Sequence, residues 1–137
     1  MEKLDRFRWF FFAAAVYNAV WGLAVSVFPF FIFDLCRIAR PGQPWLMQCI
    51  GMIVGVYAIG YWFVSRDPRR YGAFVWVGLA GKVLGPVGFL FGAVSGEIPW
   101  SFGWVNVFND LIWLPGFVVF LVEWMRLEKA DNNQSTH

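Results

Sequence analysis

Side chains that carry metal or thiol chemistry are scarce in this sequence. It holds one histidine, His137, and two cysteines, Cys36 and Cys49. That inventory cannot assemble a four-ligand zinc site, a bis-histidine haem site or a Cys–His nucleophile pair from the chain's own residues. No metal or haem site is therefore expected, and the identity of any cofactor is left unknown. Cys36 and Cys49 could bridge if both faced an oxidising compartment, but two small apolar residues at a membrane face is the better reading. Charge is short as well, with Asp, Glu, Lys and Arg making up 15% of the chain and a net charge of +2. The basic residues gather at the ends of apolar segments instead of forming a stripe, which argues against a nucleic-acid partner.

Apolar and aromatic residues are abundant. Of the 137 residues, 59% are hydrophobic and 21% aromatic, with sixteen Phe and nine Trp, more than a water-soluble core of this size can hide. A soluble four-helix bundle would need a polar face on each helix, and no long segment here has one. The expectation is an all-α, integral membrane four-helix bundle forming one domain over residues 1–137. Its spans fall at about 9–29, 45–64, 71–94 and 101–125. The first apolar run continues into Phe30, Phe31 and Phe33 instead of stopping at a small-residue cleavage site, so it reads as a span and not as a signal peptide. Pro29 ends it. Phe30 to Arg40 then reads as a short interfacial helix with Asp34, Arg37 and Arg40 three apart on its wet side. Residues 126–137 are polar and expected to form a flexible tail.

Lysine and arginine distribution sets the orientation. Lys3, Arg6, Arg8, Arg66, Arg69, Arg70, Arg126 and Lys129 fall on one side of the spans, against Arg37 and Arg40 on the other. Both termini are expected in the cytoplasm. Trp9, Trp45, Trp62, Trp100, Trp104 and Trp124 lie near span ends, as an aromatic belt requires. Short connections between spans imply up-down-up-down order.

Two sets of glycines stand out. Gly78, Gly81, Gly85, Gly88 and Gly92 are spaced alternately by three and four, leaving one face of the third span bare for another helix to approach. Gly51 and Gly55 form a small-xxx-small pair on the second span. Beside the longer stripe sits Lys82, an ammonium ion in an apolar run, and it needs a partner there. Counting from the cytoplasmic ends at about 1.5 Å per residue places Asn18 about 14 Å deep, Lys82 about 16 Å and Asp110 about 22 Å. A lysine stem spans that difference, which predicts a Lys82–Asp110 ion pair with Asn18 or Asn109 satisfying leftover hydrogen bonds.

On a regular helix Asn106, Asn109, Asp110 and Trp113 share one face, as do Tyr17, Asn18 and Trp21 on the first span. Tyr17, Trp21 and Trp113 would then wall a polar cluster with flat apolar surfaces. Gln48 and Asn106 are candidates for a second, shallower polar layer. Pro86 is expected to kink the third span just after Lys82, and Pro115 the fourth.

A first helix ending near Pro29, a second with Gly51 and Gly55, a basic connection from Arg66 to Arg70 and a third helix holding Lys82 together resemble small bacterial four-helix membrane proteins of the DoxX-like kind. That resemblance implies an integral protein of the bacterial inner membrane, often an accessory to other membrane or redox proteins, and it carries over no catalytic residue. The leading functional expectation is non-enzymatic: the bundle binds an amphipathic or lipidic molecule, such as an isoprenoid-like one, or a partner subunit, at the Lys82–Asp110 layer. Homo-oligomerisation or assembly into a membrane complex fits that use. A dimeric proton- or ion-coupled transporter is the alternative, and a lipid-modifying enzyme using Asp110 and Lys82 is the third. The same polar layer read as plain interhelical glue needs no ligand at all.

Overall fold

A computed structural model describes residues 3–135, which form helices and short connections, with no β-strand among the described residues. A 3-10 turn at Asp5–Phe7 leads into α1, Arg8–Val27. Phe28 then leaves helical geometry, because Pro29 disfavours the α region in the residue before it. The short α2, Phe31–Cys36, stops at Arg37, whose φ of 54° is left-handed. Arg40 folds back onto α2 and pairs with both carboxylate oxygens of Asp34 at 2.7 and 2.8 Å. Asp34, Arg37 and Arg40 thus do not share a helical face, and the helix expected over residues 30–40 is only half that long.

Pro44, with its fixed φ and missing N–H, opens α3, Pro44–Arg66. Asp67 caps the one-turn α4, Pro68–Tyr71, by accepting from the Arg70 N–H at 3.1 Å. Next comes α5, Phe74–Val94, with Pro86 inside it. It ends where Gly96 takes a φ of 79°, which lets Glu97 N–H reach back to Gly92 O at 2.9 Å. The last long stretch is interrupted: a 3-10 turn at Trp100–Phe102, α6 at Gly103–Asn106, a π-helical segment at Val107–Leu111, and α7 at Leu114–Ser135.

Four stretches, Asp5–Val27, Pro44–Arg66, Phe74–Val94 and Trp100–Gln134, are long and apolar enough to cross a membrane. Their outward surface is apolar too, with Phe91 76% and Val94 78% exposed, a surface suited to lipid and hazardous in water. The chain is a multi-pass membrane protein by these criteria.

The main buried core lies where the beginning of α1 meets the first turns of α7. Phe7, Phe11, Tyr61, Phe117 and Phe120 are buried there in edge-to-face contacts, such as Phe11–Phe120 at 4.8 Å and Tyr61–Phe117 at 5.3 Å. Around this core, Arg6 pairs with Glu123, Arg69 pairs with Asp131, and Trp124 Nε1 donates to Arg69 O at 3.0 Å. These ties hold α7 well past Arg126, so the helix continues to Ser135 where the composition implied a flexible tail; His137 lies outside the described residues.

The closest backbone approach joins α1 to α3. A Cβ added to Gly22 would sit 2.6 Å from Gly51 O and 2.9 Å from Gly55 Cα, so this crossing has room for hydrogen only. Ser26 Oγ donates to Gly22 O at 2.7 Å, and Gln48 Nε2 donates to Ser26 O at 3.1 Å. Gln48 is thereby committed to α1 and forms no layer with Asn106.

The glycines of α5 do something other than what their stripe implied. Gly78 leaves room for Tyr61 and Phe117, Gly85 for Asp110 and Gly92 for Ile98, while Gly81 makes ordinary contact with Tyr57 and Gly88 faces open space. Gly78, Gly85 and Gly92 are sockets for side chains, and the closest helix-to-helix approach is made by α1 and α3. Gly22→Ala should therefore destabilise the bundle by about 2 kcal/mol through overpacking. Gly88→Ala should be neutral or stabilising by about 0.5 kcal/mol. Equal losses at both positions in denaturant unfolding of the detergent-purified protein would refute this crossing.

Candidate functional site

Lys82 and Asp110 are both buried, at 4% and 8% exposure. Lys82 Nζ donates to the main-chain Asn109 O at 2.6 Å and lies 3.5 Å from Asp110 Oδ1. The ammonium is thus held more tightly by a peptide carbonyl than by the carboxylate.

That carbonyl is available because the helix ahead of Pro115 departs from regular α winding. Here Ile112 N–H bonds Val107 O across a π turn at 3.1 Å, and Trp113 N–H bonds Asp110 O at 3.1 Å. In a regular α-helix Trp113 N–H would serve Asn109 O. Its diversion leaves Asn109 O to Lys82. The bend expected near Pro115 is in effect a wide turn just before it, and that turn aims Asp110 at α5. Gly85 makes room for the carboxylate: a Cβ there would lie 2.6 Å from Asp110 Oδ2.

The pair borders a cavity of about 210 Å³ lined by Asn18, Tyr57, Tyr61, Lys82, Asn109 and Asp110, with Val54, Gly78, Gly81 and Gly85 completing the wall. Asn18 Nδ2 donates to Ala14 O of its own helix at 2.8 Å. Asn109 Oδ1 is buried and has no hydrogen-bond partner among the described residues. Of the two asparagines expected to serve the ion pair, Asn109 does so through its main-chain oxygen and neither does so through its side chain.

Wider winding across Val107–Leu111 also breaks the shared face assumed for Asn106, Asn109, Asp110 and Trp113. Trp113 turns toward α1, donating from Nε1 to Phe108 O at 3.1 Å, with its ring 5.4 Å from Tyr17 and 5.7 Å from Phe10. Tyr17, Trp21 and Trp113 line a separate apolar groove of about 830 Å³ with Val20 and Phe31, so they do not wall the polar cavity. Asn106 borders another hollow, beside Pro86, Trp100 and Trp104. The aromatic walls of the polar cavity are Tyr57 and Tyr61 instead, four apart on α3. Their spacing was a readable signal, masked by an apolar helix in which two tyrosines look like ordinary packing.

The cavity lining contains no serine, threonine, cysteine or histidine, and one carboxylate. It offers two phenols, an ammonium, a carboxylate and two amides, a set suited to hydrogen-bonding a polar head group. No protein-family model, curated protein or solved structure matches the chain, so the site is read from its geometry.

Lys82→Met should lower stability by about 3 kcal/mol, because Asp110 is left buried without its counter-charge. Adding Asp110→Asn should recover part of that loss. Strict additivity of the two substitutions in unfolding would show that the charges do not interact.

Proposed function

We propose that this protein is a non-enzymatic, up-down-up-down membrane bundle that holds the polar head of an amphipathic or lipidic small molecule at the Lys82–Asp110 layer. The observation that carries the reading is Asn109 Oδ1, an acceptor buried beside a cavity and bonded to nothing among the described residues. An unmet buried acceptor is costly, and a ligand that donates to it removes the cost. The ion pair is neutral as a unit, so the favoured head is uncharged with at least one hydrogen-bond donor, such as a hydroxyl. Its tail would leave between α3 and α5 past Val54 and Gly81, and an isoprenoid-sized chain suits that exit.

A transporter needs a continuous polar route, and a lipid-modifying enzyme needs a nucleophile or an uncommitted acid–base pair. Lys82 and Asp110 are the one amine and the one carboxyl group lining this cavity, and they are committed to each other and to Asn109 O. The resemblance to DoxX-like bacterial proteins agrees with a binding role in the inner membrane, with both termini cytoplasmic and assembly into homo-oligomers or with a partner subunit.

Native mass spectrometry of the detergent-purified protein tests this. The wild type should retain a defined non-phospholipid adduct that is lost in Lys82→Met/Asp110→Asn and weakened at least tenfold in Asn109→Ala. Absence of any such adduct, or its retention by the double variant, would overturn the reading.

A further inference from the structure

Where α1 begins and α3 ends, Arg8, Trp9, Phe12, Trp62, Ser65 and Arg66 line a surface hollow of about 310 Å³. Phe12 and Trp62 also border an apolar groove of about 340 Å³ that runs deeper between the two helices, over Ala15, Ala19, Gly55 and Ala58. The pattern is periodic on both helices. Arg8, Phe12, Ala15 and Ala19 follow one face of α1, and Gly55, Ala58, Trp62 and Arg66 follow one face of α3. Each face therefore carries an arginine at the rim, an aromatic ring below it, and small residues at depth.

The rim is cationic and incompletely paired. Arg8 Nε is bonded to Asp5 at 3.0 Å, which leaves its two terminal nitrogens free to point elsewhere. Arg66 is exposed and has no side-chain partner among the described residues. Ser65 spends its hydroxyl proton on Trp62 O at 2.6 Å, so a head group here is met by guanidinium groups and not by the serine. Guanidinium forks match phosphate oxygens in a bidentate manner, and tryptophans are favoured at the depth where head groups meet acyl chains. Below them the groove is unfilled: the position a Gly55 Cβ would take has no atom within 4 Å. From Phe12 to Ala19 the groove covers about 10 Å of helix.

We propose that this is a binding site for an anionic glycerophospholipid, with its phosphate between Arg8 and Arg66 and one acyl chain laid in the α1–α3 groove. A zwitterionic lipid is disfavoured because no carboxylate lines the hollow or the groove to meet its ammonium. The site lies apart from the Lys82 cavity and shares no lining residue with it.

The full chain is equilibrated in mixed micelles containing equimolar phosphatidylglycerol and phosphatidylcholine, and retained lipids are counted by native mass spectrometry, with circular dichroism confirming the helical fold. Phosphatidylglycerol should be retained at least tenfold over phosphatidylcholine. Arg8→Gln/Arg66→Gln, two surface substitutions, should abolish that preference, while Arg126→Gln, outside the groove, should leave it intact. Gly55→Leu should lower total lipid retention with both arginines in place. Equal retention of the two lipids by the wild type, an unchanged preference in the double arginine variant, or an equal loss in Arg126→Gln would each overturn the proposal, the last by showing that surface charge in general attracts the lipid.

Discussion

A single ammonium ion in an apolar helix constrains much of the middle of this molecule. Lys82 is buried in an apolar helix, so a neighbouring element must bring it oxygen. The element that does so is a stretch of helix that departs from regular winding. Asn109 O and Asp110 Oδ1 both lie in the π segment ahead of Pro115. The same unwinding that would be a defect in an isolated helix becomes tolerable because the freed carbonyl is used by the lysine. Gly85 completes the arrangement by giving the carboxylate a place beside α5.

Rigidity is distributed unevenly around that layer. On one side lies the Phe7–Phe11–Tyr61–Phe117–Phe120 core, locked at its rim by the Arg6–Glu123 and Arg69–Asp131 pairs. On the other, α1 and α3 are held by the hydrogen-sized crossing at Gly22 and Gly51, while α5 and the π segment meet through side chains seated in glycine sockets. The polar cavity lies among these contacts, which position its polar groups.

The two proposed binding sites differ in the chemistry they present. The buried layer is neutral as a unit and offers an unmet acceptor, whereas the rim at Arg8 and Arg66 offers unbalanced positive charge next to tryptophan. One suits an uncharged polar head within the bilayer, the other an anionic head at its surface. Both rest on the pairing of α1 and α3, whose small residues bring the backbones together at Gly22 and leave a furrow beside Gly55.

The helical class, the four long apolar stretches and the isolated position of Lys82 were legible in the sequence, because hydropathy and the cost of a buried charge are local properties of a chain in lipid. The ends of α1 and α3 were legible for a similar reason, since proline acts on its immediate neighbours. Gly22 was not singled out, although Gly22 and Ser26 form a small-xxx-small pair like Gly51 and Gly55, because such a pair does not name its partner. Trp113 was placed on the wrong face since the 3.6-residue period does not hold through the π segment, and only packing against α5 and the lysine decided that winding. Tyr57 and Tyr61 came to the cavity because Gly78 leaves room for Tyr61, a relation between residues far apart in the chain. Helix existence was thus set by local hydropathy, while which faces meet was set by side chains filling one another's gaps, which a single sequence does not encode locally.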